Sequence, residues 1–182
     1  MSAPEPARPV RPGDQARATV TVPVAIDEAF RIFTQEINVW WRRGSRFRNA
    51  RGELADQGII CVEPRVDGRV FESYVLNGGE TVVEMGRITE WLPPDRLVFR
   101  WRASNFAPHE RTEVEVQFTA LRASADPVRT ARTQVVVTHR GWADIRGDHP
   151  ARHGLVHAEF VRMMGMWWGD QMISMRGTCV VR

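Results

Sequence analysis

The amino-acid sequence predicts a single α+β domain in which a long C-terminal helix covers one face of a curved antiparallel sheet. Segments rich in β-branched and aromatic residues follow one another between residues 59 and 140, with hairpin turn residues between them. A short helical pattern precedes this region, and a long apolar helical pattern follows it. A sheet must bury one face, and a long amphipathic helix lying across it is the simplest cover.

The length of 182 residues suits one domain. Residues 1–16 hold four of the eleven prolines and almost no large apolar side chain, so we expect a disordered tail there. The folded domain is predicted over 17–178, followed by a short C-terminal tail at 179–182.

The first elements of the domain are a strand and a short helix. The strand is expected over 18–24, and Asp27 is expected to cap a helix running from Glu28 to about Ile37. The apolar residues of this helix recur at helical spacing and are predicted to face the core. The pair Trp40-Trp41 follows, and then a loop rich in Arg, Gly, Ser and Asn continues to about Gly58.

Alternating apolar residues predict six further antiparallel strands, with turn residues at Asp67-Gly68, Asn77-Gly78-Gly79 and Pro93-Pro94-Asp95. The strands are predicted at 59–66, 69–76, 81–91, 96–103, 111–121 and 132–140. A longer polar hairpin loop is expected at 123–132.

Charge predicts how two of these strands pair. Placing Arg100 opposite Glu115 and Arg102 opposite Glu113 also aligns the apolar side chains of the two strands on the other face. We therefore expect that register.

The last element is predicted to be a helix over about 151–175. Pro150 is expected to begin it, and Gly177 is expected to end it. Its apolar face is rich in Met and Trp, residues that suit an irregular space between helix and sheet.

Composition excludes several kinds of function. All 25 basic residues are arginine, so a catalytic or Schiff-base lysine is impossible, and the net charge is only +3. Arginines alternate with acidic residues instead of forming one basic stripe, which argues against a nucleic-acid partner. No apolar run is long enough to span a membrane, and the two cysteines suit a reducing cytoplasm. No motif indicates a cofactor.

Several segments resemble the START-like (SRPBCC, birch-pollen-allergen-type) superfamily. They are VPVAIDEAFRIFT, INVWW, VEPRVDGRVFE, GRITEWLPPDRLVFRW, TEVEVQF and VVVTHRGW, in this order over about 19–142. The sequence is most similar to the branch named after the C-terminal domain of the activator of heat-shock-protein-90 ATPase (AHSA-type). The resemblance implies a helix-grip fold with an internal cavity, and such folds host ligand binding, cyclisation and chaperone contacts.

The first functional hypothesis is a binding module without an evident catalytic motif, which holds a small apolar or aromatic molecule between the sheet and the C-terminal helix. His139 is the candidate acid or base, because strand parity places it on the face of Val135 and Val137. A satisfied structural histidine is the alternative. The predicted lining residues are Trp40, Phe71, Met85, Phe99, Trp101, Val116, His139, Phe160, Met164, Trp167 and Trp168.

Two other hypotheses assign different functions. One is an enzyme resembling polyketide cyclases or dehydratases, for which His139 would be the catalytic residue. The other is a protein that binds a partner, as the chaperone activator does, through the exposed sheet face or the helix. Either function remains open at the level of the sequence.

Other polar patterns have simpler explanations. His153 and His157 have the spacing of two metal ligands on one helical face, with Asp144 or Asp148 completing a site, although a solvated face is the simpler interpretation.

Carboxylates and arginines also alternate with apolar residues in the strands. Glu72, Glu84 and Glu90 are expected on the outer face of the sheet. Arg69, Arg87 and Arg100 either bind an anionic group or form surface salt bridges.

Overall fold

The structure is a computed structural model, and it describes residues 11–42, 48–50, 52–54, 57–102, 106–121 and 131–180. Most of the predicted hairpin loop at 123–132 and part of the predicted loop after Trp41 lie outside these residues. The described strands and helices are, in chain order, β1 (Gln15–Val22), α1 (Ile26–Gln35), α2 (Ile37–Trp40), β2 (Ile59–Val62), β3 (Arg69–Leu76), β4 (Gly79–Leu92), β5 (Arg96–Trp101), β6 (Thr112–Leu121), β7 (Arg132–Arg140) and α3 (His157–Val180).

The described strands form one antiparallel sheet in the order β1-β7-β6-β5-β4-β3-β2, so the predicted meander is confirmed. Asn77 and Gly78 both have positive φ (52° and 77°) and form a two-residue turn between β3 and β4. This backbone matches the twist of the flanking strands, which explains the Asn-Gly sequence. The predicted helix-grip architecture is also confirmed, since α1, α2 and α3 pack on one face of this sheet.

The first strand of the domain begins earlier than predicted. Strand β1 begins at Gln15, because the carboxylate of Asp14 accepts the backbone N–H groups of Gly141 (3.2 Å) and Ala143 (2.7 Å). Asp27 lies inside the first turn of α1 and is not its cap, which is Ala25. Residues 1–10 of the predicted tail lie outside the described residues.

The C-terminal helix begins later and ends later than predicted. Pro150 begins a separate 3₁₀ turn, Pro150–Arg152, whose cap is the side chain of His149. His153 then adopts a left-handed conformation (φ 51°) that separates this turn from α3. Gly177 does not end α3, which continues to Val180, because the buried side chain of Cys179 keeps its last turn packed on the core.

The predicted register between β5 and β6 is wrong by two residues. Arg100 lies opposite Glu113, and Glu115 lies opposite Val98. A shift of two residues leaves every side chain on its predicted face, so hydrophobic alternation does not distinguish the two registers. The observed register brings Thr112 beside Trp101, and Thr112 makes a buried hydrogen bond described below.

The sheet has two contrasting faces. The inner face contacts the three helices and carries the apolar core, which includes Val114, Val116, Val135 and Val137. The outer face carries most of the arginines and glutamates of the strands, many of them in ion pairs. Functional groups can therefore be sought on each face separately.

Candidate functional site in the aromatic core

The sheet ends that meet beside α3 bring together residues that are distant in sequence. Trp101 ends β5, Thr112 begins β6 and His139 lies near the end of β7, so antiparallel pairing places all three at one end of the sheet. Helix α3 lies across this end and contributes Met164, Trp167 and Trp168. These side chains therefore meet between α3 and the sheet.

The two neighbouring tryptophans at the end of α2 have different roles. The indole N–H of Trp40 donates to the carbonyl of Ile32 (3.0 Å), which ties α2 to α1. Trp41 instead points towards α3, and the backbone N–H that follows it, of Arg42, donates to Oε1 of the buried Gln171 (3.0 Å). Trp40 therefore anchors the N-terminal helices, and Trp41 belongs to the candidate site.

Four tryptophans form a compact cluster that we call the tryptophan layer: Trp41, Trp101, Trp167 and Trp168. Trp41 is at its centre, because its ring stacks on Trp101 (centroids 5.8 Å apart, 19° between planes) and meets Trp167 and Trp168 edge to face at 5.5 and 5.9 Å. Trp41, Trp101 and Trp168 are buried, whereas Trp167 is partly exposed. The layer therefore reaches solvent through Trp167.

The indole N–H of Trp41, at the centre of this layer, has no hydrogen-bond partner within the described part of the chain. The Nε1 of Trp41 is buried there, and no described group accepts its proton. The Nε1 of Trp142, just outside the layer, is in the same situation. A buried N–H donor without an acceptor costs free energy, so an acceptor placed beside it would stabilise the folded chain.

His139 is buried next to the tryptophan layer and both of its ring nitrogens are engaged. The indole N–H of Trp168 donates to Nδ1 (3.1 Å), and Nε2 lies 2.7 Å from the hydroxyl of Thr112. An indole nitrogen can only donate, so Nδ1 must be the acceptor and Nε2 carries the proton, which it donates to Thr112. The contacts thereby fix one neutral tautomer.

Burial lowers the pKa of His139 to about 3, because the charged imidazolium would lose its water. Protonation would also place an N–H of the ring against the N–H of Trp168. His139 is thus held as a neutral bridge between β6, β7 and α3. This arrangement matches the structural alternative for His139 and leaves no ring nitrogen open to a substrate.

Most of the predicted lining residues lie in one continuous core. Trp167 borders this core, and Phe71 lies outside it on the outer sheet face, where the guanidinium of Arg69 covers its ring at 4.7 Å. Phe71 is therefore not brought to the tryptophan layer. The nine buried members of the predicted set are Trp40, Met85, Phe99, Trp101, Val116, His139, Phe160, Met164 and Trp168.

The prediction that Glu72 lies on the outer face is wrong. Val70 and Glu72 point inward on β3, and Glu72 is fully buried. Its carboxylate lies 3.4 Å from Nε of the buried Arg48 and accepts the backbone N–H groups of Asn49 and Ala50. Each face of β3 carries both apolar and polar side chains. Hydrophobic alternation along this strand therefore does not indicate that Glu72 is buried.

The Arg48–Glu72 pair fastens the loop before β2 to the sheet. Arg48 also donates to Asn38 Oδ1 (3.2 Å) and to the carbonyl of Gly58 (3.0 Å), and Asn38 Oδ1 accepts the N–H of Ile60 (3.0 Å). This network positions α2, and hence Trp41, relative to β2 and β3. The sequence patterns did not predict that Arg48, Glu72 and Asn38 form this network.

The helical spacing on which the predicted metal site depended is not present. His153 lies in the left-handed turn before α3, and His157 is the first residue of α3, so they do not share a helical face. His157 Nε2 instead lies 3.7 Å from the carboxylate of Asp14. Within the described residues, no three His, Cys, Asp or Glu side chains are grouped to hold a metal ion.

The fold of this chain is similar to that of several solved structures. No protein-family model matches the chain, and no curated protein matches it. Solved structures match nearly its whole length. A Rhodobacter sphaeroides protein is 13% identical, with 93% of this chain and 94% of that chain covered and a TM-score of 0.55. The Aha1 dimer from Colwellia psychrerythraea is 12% identical, with 91% and 95% covered and a TM-score of 0.54.

The chain has the helix-grip fold of these solved structures. A Nitrosomonas europaea protein supports the same conclusion, at 12% identity, 92% and 95% coverage and a TM-score of 0.52. The fold implied by the sequence resemblance is thereby confirmed. At these identities the likeness concerns the fold alone, since one fold hosts many activities.

None of the helices in the described part of this helix-grip domain is long and apolar enough to cross a membrane.

Proposed function

We propose that this helix-grip domain binds a small apolar or aromatic molecule that carries a hydrogen-bond acceptor, at the tryptophan layer between the sheet and α3. One observation carries the proposal: the indole N–H of Trp41 is buried among three other tryptophan rings and has no acceptor among the described residues. A carbonyl or ether oxygen at this N–H would form the missing hydrogen bond. The aromatic rings would supply the apolar contact.

Trp167 is the proposed point of entry. It is the member of the layer that reaches solvent, and it contacts both Trp41 and Trp168 edge to face, at 5.5 and 4.8 Å. A rotation of its side chain would open a path to the Trp41 N–H without disturbing the hydrogen bond between Trp168 and His139. Met164 lies in the same core, and its flexible side chain can adapt to a ligand.

The enzyme hypothesis receives less support than the binding hypothesis. A cyclase or dehydratase needs a group that gains and loses a proton, and His139 has both ring nitrogens engaged and a pKa of about 3. The chaperone hypothesis rests on the Aha1 name of a structural neighbour, and no described contact of this chain adds to it. We propose a cytoplasmic location, because the two cysteines of the sequence, Cys61 and Cys179, do not form a disulfide with each other.

Native mass spectrometry of protein purified gently from its own host is the first test. A reproducible extra mass that disappears on denaturation is the expected result. The second test is a fluorescence titration with 6-propionyl-2-dimethylaminonaphthalene, a neutral aromatic probe with one carbonyl acceptor. Saturable binding with a blue-shifted emission is expected, because the probe leaves water for an apolar site.

Trp41→Phe and Trp91→Phe form a matched pair of variants for this titration. Trp91 is a half-buried tryptophan outside the layer, and its ring packs against Phe30 with the centroids 5.0 Å apart. Trp41→Phe keeps a ring and removes the N–H, so the probe should bind about tenfold more weakly. Trp91→Phe should bind it as the wild type does. The absence of both an extra mass and saturable probe binding would overturn the proposal, and so would equal weakening in the two variants.

A further inference from the structure

The outer face of the sheet carries an unusual row of arginines. Arg69 of β3 lies directly opposite Arg87 of β4, and Arg87 lies directly opposite Arg100 of β5. Like charges placed directly opposite one another on neighbouring strands destabilise a sheet. Three in succession therefore call for an explanation beyond the stability of the fold.

Fixed partners hold several of these guanidinium groups in place. Arg69 donates to the carboxylate of Glu63 (2.6 and 2.9 Å), and Arg87 donates to the carboxylate of Glu84 and to the carbonyl of Asp67 (3.0 Å). Glu63 is charged over most of the pH range, because the side-chain and backbone N–H groups of Arg69 lower its pKa to about 2. Arg69 and Arg87 are thus oriented before any ligand arrives.

A surface cleft of about 480 Å³ lies beside this row. Four arginines and one glutamate line it, which gives the lining a net charge of +3, and Arg102 is held at its edge by the carbonyls of Phe106 and Ala107 (3.3 Å each). The charged lining residues are Glu84, Arg87, Arg100, Arg102 and Arg111.

We infer that this cleft, the arginine cleft, binds a small molecule bearing a phosphate or diphosphate group. Planar guanidinium groups recognise phosphate oxygens through paired hydrogen bonds, and oriented guanidinium groups lose less freedom on binding. The size of the cleft suits a small molecule and not an extended chain. The site is separate from the tryptophan layer, because Arg100 and Trp101 are adjacent on β5 and point to opposite faces of the sheet.

Isothermal titration calorimetry with inorganic pyrophosphate at low ionic strength tests the inference. The wild type should show saturable binding. The double variant Arg100→Gln/Arg111→Gln should bind about tenfold more weakly, since it loses charge-assisted hydrogen bonds to the phosphate oxygens. Arg17→Gln is the matched control, because Arg17 is an exposed arginine on the outer face of β1, at the other edge of the sheet.

Glu84→Gln provides a test of opposite sign. It removes the one negative charge of the cleft lining, while the carbonyl of Asp67 still accepts a hydrogen bond from Arg87, so pyrophosphate should bind severalfold more tightly than to the wild type. A variant that merely damages the fold cannot produce this gain. In the wild type, the Nε–Hε NMR signals of Arg87, Arg100 and Arg102 should shift on titration, which requires no substitution.

The inference is overturned if the wild type shows no saturable binding of pyrophosphate, or if Arg17→Gln weakens it as much as the double variant does. Tighter binding in Glu84→Gln together with weaker binding in the double variant supports it. The neutral naphthalene probe should bind equally to all these variants, so the outcome does not depend on the function proposed for the tryptophan layer.

Discussion

Two adjacent residues of β7 show how differently the two faces of the sheet treat polar groups. On the inner face, His139 pairs with Thr112, and on the outer face Arg140 pairs with Glu113, the next residue of β6. The inner pair is neutral, and both nitrogens of the imidazole are engaged. The outer pair is ionic and shares Arg140 with Glu115 (3.1 Å). Burial thus selects neutral, fully paired groups, whereas partial exposure retains charge.

The Arg48–Glu72 pair is the exception that makes this comparison testable. It places two opposite charges inside the domain, with relative side-chain exposures of 1% and 0%. Every carboxylate oxygen of Glu72 has a donor, from Arg48, Asn49 or Ala50. Charge is therefore tolerated inside only because it is paired and hydrogen-bonded.

Removal of Glu72 should have the largest effect. Glu72→Ala leaves the buried guanidinium of Arg48 without its carboxylate, so the free energy of unfolding should fall by about 3–5 kcal/mol. Glu84→Ala, which removes the partner of Arg87 on the outer face, should cost about 0–1 kcal/mol. Urea denaturation of both variants at pH 7 measures the difference. Losses of similar size would show that the two faces do not differ in this respect.

The pH dependence of stability should reveal the neutral histidine. In the unfolded chain His139 takes up a proton below about pH 6.5, whereas the folded chain resists protonation until about pH 3. The unfolded state therefore binds more protons between these values, and stability falls as the pH is lowered through this window. The slope contributed by His139 should approach about 1.4 kcal/mol per pH unit.

The measurement compares urea denaturation at pH 6.5 and pH 4.5 for the wild type and His139→Gln. Carboxylates also begin to take up protons towards pH 4.5, and the comparison with His139→Gln subtracts their contribution because both proteins share them. The wild type should lose about 2 kcal/mol more than His139→Gln does over the same interval. An identical loss in both proteins would mean that His139 titrates normally in the folded state.

Sequence patterns predicted the fold better than they predicted the site, for a physical reason. Alternation of apolar residues identifies strands, and it correctly placed His139 on the core face of β7. It failed on β3, where Phe71 was expected inside and Glu72 outside. Both faces of that strand offer a large side chain, and only the pairing of Glu72 with the distant Arg48 decides which one is buried.

Register and helix bounds depended on contacts that no local pattern contains. Alternation of apolar residues allows β5–β6 registers that differ by two residues. Only the structure shows that Glu113, and not Glu115, lies opposite Arg100. The helix spacing of His153 and His157 was misleading, because a left-handed turn at His153 precedes α3. The tautomer of His139 likewise depends on Trp168, which lies far away in the sequence.

The smallest expected effect concerns the outer pair itself. Glu113 and Arg140 retain relative side-chain exposures of 19% and 15%, so their attraction competes with hydration and with the second partner, Glu115. A double-mutant cycle with Glu113→Gln and Arg140→Gln should give a coupling energy of about 0.2–1 kcal/mol, reduced further in 1 M NaCl. The hydrogen bond between Thr112 and His139 lies one residue away in each strand but has no net charge, so salt should leave it unchanged. If salt instead weakened the coupling measured for Thr112→Val and His139→Gln as strongly as that of the outer pair, the imidazole would be charged in the folded protein, and the contrast between the two faces would not hold.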